Sequence, residues 1–183
     1  MPADSAAPTG NLLLDALRGP DRALIAPHLE PVAFDKGAIV FEAGSDVTHI
    51  TFPCEQTVVA LIIATRDGRC AETATVGREG AVGGIVSAGR VPASTEAIVQ
   101  IGGPMLRLDA GRLQEAKRRS TEIRNLFARY SDCLLAQVLQ AAACNALHPI
   151  EQRCLRWLLT LQDRFGGDTL PFSHELLAAM LGD

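Results

Sequence analysis

The segment from Ser120 to Leu147 constrains the fold more than any other, because it contains neither Gly nor Pro and predicts one long helix. Ser120 or Thr121 can accept hydrogen bonds from the free N–H groups of the first turn, and Pro149 follows the predicted end. At the α-helical rise such a helix is roughly 42 Å long, which exceeds the width of a small domain. It therefore needs contacts along its length.

Two apolar stripes run along this predicted helix. The first recurs at steps of three or four residues and consists of Ile123, Phe127, Tyr130, Leu134, Val138 and Ala141. The second lies off that line and consists of Leu126, Cys133, Leu135, Leu139, Ala142 and Ala146. We expect one face to cover the chain's own domain and another to pair with the same helix of a second subunit. The sequence thus predicts a homodimer with the first stripe as its interface; the alternative is a core helix of one larger monomer.

Composition and charge narrow the functional classes. The chain has 183 residues, of which 48% are hydrophobic, enough for a substantial core. Its formal net charge of −4 gives no global attraction to nucleic acid or to an anionic membrane. Its apolar runs are far shorter than the ~20 residues that a bilayer span needs, and the polar N-terminus shows no secretory leader. A cytoplasmic location without membrane contact is predicted.

The five cysteines are scattered and form no CxxC pair, so they are predicted to be reduced thiols in the core: Cys54, Cys70, Cys133, Cys144 and Cys154. The four histidines are also far apart, and none forms an HxH or HExxH pair: His28, His49, His148 and His174. Nucleophile-elbow and Walker patterns are missing as well. No metal site, catalytic residue or enzymatic activity is predicted.

The residue pattern is different between Glu30 and Leu108, where short runs rich in Val, Ile, Thr and Phe alternate with turn residues. This pattern is typical of a β-sandwich or barrel. The predicted strands are Pro31–Phe34, Ile39–Phe41, His49–Pro53, Val58–Ile63, Ala71–Val76, Glu96–Ile101 and Met105–Leu108. The turns contain residues that tolerate positive φ, at Gly37, Gly44, Asp67-Gly68 and Gly102-Gly103.

A glycine-rich segment lies between Val76 and Glu96 and contains Gly77, Gly80, Gly83, Gly84 and Gly89. Glycines let backbone N–H groups approach an anion closely, which suits a phosphate or carboxylate. They also let a β-barrel turn its corners. The sequence leaves both explanations open.

The C-terminal part predicts two more helices. Pro149 begins the first, which ends at Gly166-Gly167, and Ser173 begins the second. In a helix-turn-helix the first helix needs a small residue at the crossing and a Gly four positions later. The residues that fit this core are Leu177, Ala178, Leu181 and Gly182. Ser173 and His174, at the start of that helix, are candidates for contacts with the DNA backbone.

The order of these parts resembles the Crp/Fnr family of transcription regulators. The matching segments are Gly37–Phe52, Val76–Gly84, Asn145–Leu159 and Leu170–Gly182. The resemblance implies an α+β chain in which residues 11–118, after a disordered 1–10, form N-terminal helices and an antiparallel β-roll (a double-stranded β-helix or jelly roll) that senses an effector. Residues 119–148 would be the dimerisation helix and 149–183 the first part of a winged helix-turn-helix domain.

The effector is not expected to be a cyclic nucleotide. In nucleotide-binding members of the family a Glu binds the ribose and an Arg pairs with the cyclic phosphate. Alignment puts Gly84 at the Glu position and Thr95 at the Arg position, so the charge-assisted phosphate contact is missing. The effector-pocket candidates are Gly83, Gly84, Thr95 and Glu96. The cysteine cluster of the iron–sulfur branch is missing too, so no cofactor is predicted and an unknown small-molecule effector remains open.

The implied function is control of DNA binding through an effector or a state change in the β-roll. Because the sequence ends where the recognition helix would begin, this chain is expected to bind promoter DNA weakly or not at all. Lys117–Arg119, Arg124 and Arg129 are predicted to be a solvated face. One alternative is a ligand-binding module that heterodimerises with a full-length relative. Another is a cupin-like metalloenzyme, which the missing histidine pair argues against.

Overall fold

The computed structural model describes residues 8–64, 70–86 and 91–166, which form two antiparallel sheets followed by three longer helices. Two short helices, α1 (Leu12–Asp15) and α2 (Gly19–Arg22), and the 3-10 turn Ala26–His28 come first. The strands are β1 Glu30–Phe34, β2 Ile39–Phe41, β3 His49–Pro53, β4 Val58–Ala64, β5 Cys70–Val76, β6 Val82–Gly83, β7 Glu96–Ile101 and β8 Gly103–Asp109. The later helices are α3 Ala110–Arg119, α4 Thr121–Leu147 and α5 Ile150–Phe165.

The two sheets have the strand orders β1-β8-β3-β6 and β2-β7-β4-β5, and every strand pairing within each sheet is antiparallel. The predicted strands are all confirmed, with ends that differ by at most two residues. Strand β6 was not predicted, because two residues ending in glycine give no alternating pattern. The predicted class, an α+β chain with an antiparallel β-roll, is confirmed.

The core joins the first sheet to the helices that follow it. Phe52 of β3 and Phe127 of α4 meet edge to face with ring centroids 6.3 Å apart. Leu14, Leu108 and Leu113 pack around them, and each of these side chains is at most 1% exposed. The N-terminal half of α4 is therefore part of the β-roll's own core.

Helix α4 begins and ends where the sequence predicts. The Ile123 N–H donates to Ser120 Oγ at 3.1 Å, and the same hydroxyl donates to Asp21 Oδ1 at 2.6 Å. His148 takes an extended conformation ahead of Pro149. Gly166 ends α5 in the left-handed region, with φ 72°, as predicted for a C-terminal glycine.

The turn predictions have mixed outcomes. Gly37 and Gly44 take positive φ, at 86° and 81°. The turn at 102–103 joins β7 to β8 without positive φ at either glycine. Gly102 instead allows a close approach of two chain segments, since a Cβ there would lie 2.9 Å from the backbone nitrogen of Lys36. The hairpin predicted at Asp67-Gly68 lies outside the described residues.

The predicted disorder of residues 1–10 is wrong at its C-terminal end. Thr9 Oγ1 donates to Asp15 Oδ1 at 2.9 Å, and the Gly10 carbonyl accepts the Glu55 N–H at 2.9 Å. These bonds fix the segment against α1 and the turn after β3. Residues 1–7 lie outside the described residues.

The five cysteines are all free thiols, as predicted, but not all are in the core. Cys54 and Cys144 are buried, and burial raises the pKa of Cys54 to about 11. Cys70 and Cys133 are exposed, so the core prediction is wrong for these two. Cys133 lies on a part of α4 that its own chain does not cover.

Candidate functional site: an apolar cavity beside the long helix

A cavity of about 470 Å³ lies between the β-roll and α4. The roll supplies aliphatic and aromatic side chains from strands β2, β4 and β6 and from the segments beside them: Phe41, Val47, Leu61, Val82, Ile85, Val86 and Val91. Helix α4 supplies the opposite wall with Ser131, Leu134, Leu135 and Val138. A molecule in the cavity would therefore touch both the roll and the long helix.

The lining of this cavity is uncharged. Among the described residues, none of its side chains is an acid, a base or a histidine. Its polar side chains are the hydroxyls of Ser94, Thr95 and Ser131, and Ser131 Oγ already donates to the Phe127 carbonyl at 2.8 Å. The cavity can thus offer an apolar surface and a few neutral hydrogen-bonding groups.

The structure brings three of the four predicted effector-pocket residues together. Gly83, Gly84 and Thr95 all line the cavity. Glu96 is not among the lining residues; it begins β7 opposite Ile62 of β4. The α4 wall was missed as part of the pocket, although its apolar spacing was visible, because spacing does not reveal what a helix face contacts.

The glycine-rich corner uses its own backbone N–H groups internally. The Gly77 N–H donates to Glu79 Oε1 at 3.0 Å, and the Gly80 N–H donates to the Gly77 carbonyl at 3.1 Å. Gly80 also leaves space for an aromatic ring, since a Cβ there would lie 2.7 Å from Tyr130 Cε2. These contacts favour close packing over anion binding as the reason for the glycines at 77 and 80.

Tyr130 connects α4 to this corner. Its hydroxyl donates to the Ala81 carbonyl at 2.8 Å and accepts the Ala81 N–H at 3.0 Å. Burial raises the pKa of Tyr130, so the phenol stays protonated and can make both bonds. Further along the helix, Gln137 Nε2 donates to the Thr75 carbonyl at 3.1 Å.

The predicted dimer interface requires a correction. Ile123, Phe127 and Ala141 are buried within their own chain, so they are not available to a second subunit. Tyr130, Leu134 and Val138 are half-buried, and the first two pack against the chain's own core. This stripe, here called the inner face of α4, covers the β-roll. Apolar periodicity identified the face but could not identify its partner.

A second side of α4 carries another regular pattern. Its residues recur at alternating steps of three and four, the spacing of a coiled-coil seam, and are all exposed: Ala128, Asp132, Leu135, Leu139, Ala142 and Ala146. Leu135 is 56% exposed and Leu139 is 61% exposed. This set is here called the outer face, and Leu135 belongs both to it and to the cavity wall.

Helix α5 is held on the roll by buried contacts. Trp157 and Leu161 are buried against Val58 of β4 and Ile101 of β7. Arg164 Nε donates to the Thr75 carbonyl at 2.7 Å and pairs with Glu79 Oε1 at 3.0 Å. The helix therefore has a fixed position relative to β5.

A buried carboxyl group lies beneath this junction. Glu72 Oε2 accepts hydrogen bonds from Gln100 Nε2 at 2.6 Å and from Trp157 Nε1 at 2.9 Å, and Thr75 donates to Glu72 Oε1. Burial nevertheless raises the pKa of Glu72 above its usual range. One side chain thus joins β5, β7 and α5.

The candidate DNA contacts Ser173 and His174, and the helix-turn-helix core Leu177, Ala178, Leu181 and Gly182, lie outside the described residues. Within residues 8–64, 70–86 and 91–166, no group of three or more His, Cys, Asp or Glu side chains could hold a metal ion. In that same part of the chain, no helix combines the length and apolarity needed to cross a bilayer.

Comparison with known proteins gives matches in structure alone. No protein-family model matches the sequence, and no curated protein sequence does. The c-di-GMP-responsive regulator CLP from Xanthomonas campestris superposes with a TM-score of 0.72 at 16% identity, over 89% of this chain and 84% of that one. FixK2 from Bradyrhizobium japonicum gives a TM-score of 0.73 at 13% identity, over 84% and 77%.

A third match carries a family description. A transcriptional regulator of the Crp/Fnr family from Eubacterium rectale superposes with a TM-score of 0.73 at 16% identity, over 93% of this chain and 79% of that one. At such identities these superpositions establish shared architecture. The resemblance predicted from the sequence is thereby confirmed in three dimensions: this chain has the fold of the Crp/Fnr transcription regulators.

Proposed function

We propose that this chain is the sensor and dimerisation portion of a Crp/Fnr-type transcription regulator. The observation that carries the proposal is the position of Leu135, which lines the cavity and also lies on the exposed outer face of α4. A change in the cavity would alter the surface through which two subunits meet. The structural matches to transcription regulators support the same conclusion.

Homodimer formation is proposed through the outer face. Leu135 and Leu139 together with Ala142 offer a self-complementary apolar surface on which two helices can approach closely. Asp132 interrupts the surface with a charge, and a polar residue at such a position fixes the register at a cost in stability. The two β-rolls would then lie on opposite sides of a helix pair.

Promoter DNA is the proposed macromolecular partner. Helix α5 would carry a change from the sensor onward, because Arg164 and Trp157 fix it to β5. An effector or a change of state would shift the pairing of the two α4 helices and with it the spacing of the DNA-binding parts.

A regulatory rather than catalytic role is supported by the cavity lining. Within the described residues the lining offers no ionisable side chain for acid–base or nucleophilic chemistry. A cytoplasmic location is supported by the free thiols, since the exposed Cys70 and Cys133 suit a reducing compartment. The chain would then act by binding alone.

Sedimentation velocity at micromolar concentration tests the proposal. We expect the unaltered chain to sediment as a dimer and Leu139→Glu to sediment as a monomer with an unchanged circular-dichroism spectrum. The matched control is Gln140→Glu, which adds a charge one residue further along α4 and off the outer face, and it should remain a dimer. A folded monomer for the unaltered chain would contradict the proposal.

A further inference from the structure

We infer that the cavity between the β-roll and α4 binds a neutral, largely apolar small molecule with one uncharged oxygen function, and not a cyclic nucleotide or another anion. The regulatory consequence of this binding rests on the proposed function. The binding itself does not, because it depends only on the lining of the cavity.

Charge is the first reason. Among the described residues no lysine, arginine or histidine lines the cavity. A phosphate or carboxylate moved from water into this lining would lose its hydration without gaining a countercharge or a charge-assisted hydrogen bond. A neutral ligand has no such cost, and the aliphatic side chains of Leu61, Val82 and Val138 would gain from contact with an apolar body.

Size and the polar groups refine the ligand class. The volume of about 470 Å³ falls within the usual range of small-molecule sites and suits a molecule of roughly 20 non-hydrogen atoms. Ser94 and Thr95 are neighbours in the chain, and both line the cavity. A hydroxyl can donate one hydrogen bond and accept others, so this pair suits an alcohol, ester, amide or lactone oxygen.

The wall formed by α4 gives the ligand a direct route to the subunit interface. Leu134 lies on the inner face, Leu135 on the outer face, and both line the cavity. A ligand that fills the space beside Leu135 would favour one position of that side chain. Filling of the cavity and packing of the outer face would thus be coupled through one residue.

Binding is tested with the fluorescent probe N-phenyl-1-naphthylamine, which is neutral and apolar and brightens when it leaves water. We expect saturable binding that 1-decanol displaces, whereas decanoate and cyclic AMP leave the probe in place. Decanol and decanoate have the same chain length, so the comparison isolates the charge. Binding of either anion would show that a cationic side chain reaches the cavity.

Two variants locate the site. Val138→Glu puts a carboxylate into the cavity wall and should weaken probe binding by roughly tenfold or more, while the control Gln140→Glu should change it less than about twofold. Thr95→Arg should weaken the neutral probe and let decanoate bind, since it supplies the missing countercharge. This second variant keeps the test valid if Val138→Glu fails to fold.

Three results would overturn the inference: no saturable binding of the probe, displacement by decanoate or cyclic AMP at least as effective as that by decanol, or equal binding to the Val138→Glu and Gln140→Glu chains. Sedimentation of the same samples separates this outcome from failure of the proposed function. A dimer that binds cyclic AMP contradicts the ligand class alone, whereas a monomer that binds the neutral probe contradicts the regulator proposal alone.

Discussion

The two faces of α4 differ in how completely the rest of their own chain buries them and supplies hydrogen-bond partners. On the inner face Phe127 is 1% exposed, Tyr130 bonds to both backbone groups of Ala81, and Gln137 bonds to Thr75. On the outer face Leu135 and Leu139 keep more than half of their surface in water. A single chain therefore explains the apolar character of one side of the helix only.

The difference shows how one sequence can specify two kinds of contact. Large side chains with polar anchors occupy the inner face, where the roll provides pockets and hydrogen-bonding partners. Leucines, alanines and one aspartate, Asp132, occupy the outer face, where small and aliphatic side chains suit an identical helix. Substitutions on the inner face should thus change the stability of the fold, and substitutions on the outer face should change association.

The largest effect is expected for Phe127→Ala. The ring packs against Phe52 and lies in the buried core, so its removal leaves a cavity and should lower the free energy of unfolding by about 3–5 kcal/mol. Urea denaturation followed by circular dichroism measures the loss. Leu139→Ala, tested at a concentration where the chain is monomeric, should cost far less. Equal losses for the two variants would remove the distinction between the faces.

A smaller effect is expected for Tyr130→Phe. This change keeps the ring but removes the hydroxyl that donates to the Ala81 carbonyl and accepts its N–H. Leaving two backbone groups without these partners should cost about 1–3 kcal/mol in urea denaturation. Ser131→Ala, which removes a bond to a carbonyl of the same helix, is the control and should cost less. If Tyr130→Phe left the free energy of unfolding unchanged, the bonds between Tyr130 and Ala81 would contribute nothing to the stability of the inner face.

The smallest effect is a pH dependence that comes from Glu72, beneath the inner face. Burial raises the folded-state pKa of this carboxyl above the usual 4.5, so its protonated form is favoured by folding. Its contribution to stability is then full below pH 4.5 and is lost as the pH rises through the folded-state pKa. As the pH rises from 4.5 through the folded-state pKa of Glu72, the free energy of unfolding of the unaltered chain should therefore fall relative to that of Glu72→Gln.

Urea denaturation of both chains between acid and neutral pH measures this change. Glu115→Gln provides a control of opposite sign, because Arg118 lowers the pKa of the exposed Glu115. A stability difference between the unaltered chain and Glu72→Gln that stays constant with pH would show that Glu72 titrates in the folded protein as it does in water.

The sequence predicted what local patterns determine. The strands followed from β-branched residues and turn glycines, and the limits of α4 followed from Ser120 and Pro149. The sequence did not predict which surface covers each face of α4, because periodicity shows that a face is apolar but not what packs against it. The Glu72 network was also beyond prediction, because it joins residues 28 and 85 positions apart in the chain.

The cavity was predicted in part. Gly83, Gly84 and Thr95 were found by aligning the chain to a family pattern, and they do line the space. Ser131 and Val138 were not connected with it, because only the folded chain brings α4 across the open side of the roll. The sequence thus identified lining residues of the β-roll, whereas the lining residues of α4 became apparent only from the tertiary structure.

Disulfide trapping tests most directly whether the outer face of α4 pairs with a second copy. In a chain carrying Cys70→Ser and Cys133→Ser, which remove the exposed native thiols, Leu139→Cys should oxidise to a covalent dimer. Gln140→Cys, one residue further along and off the outer face, should stay monomeric on a non-reducing gel. A dimer trapped at Gln140→Cys but not at Leu139→Cys would contradict the account.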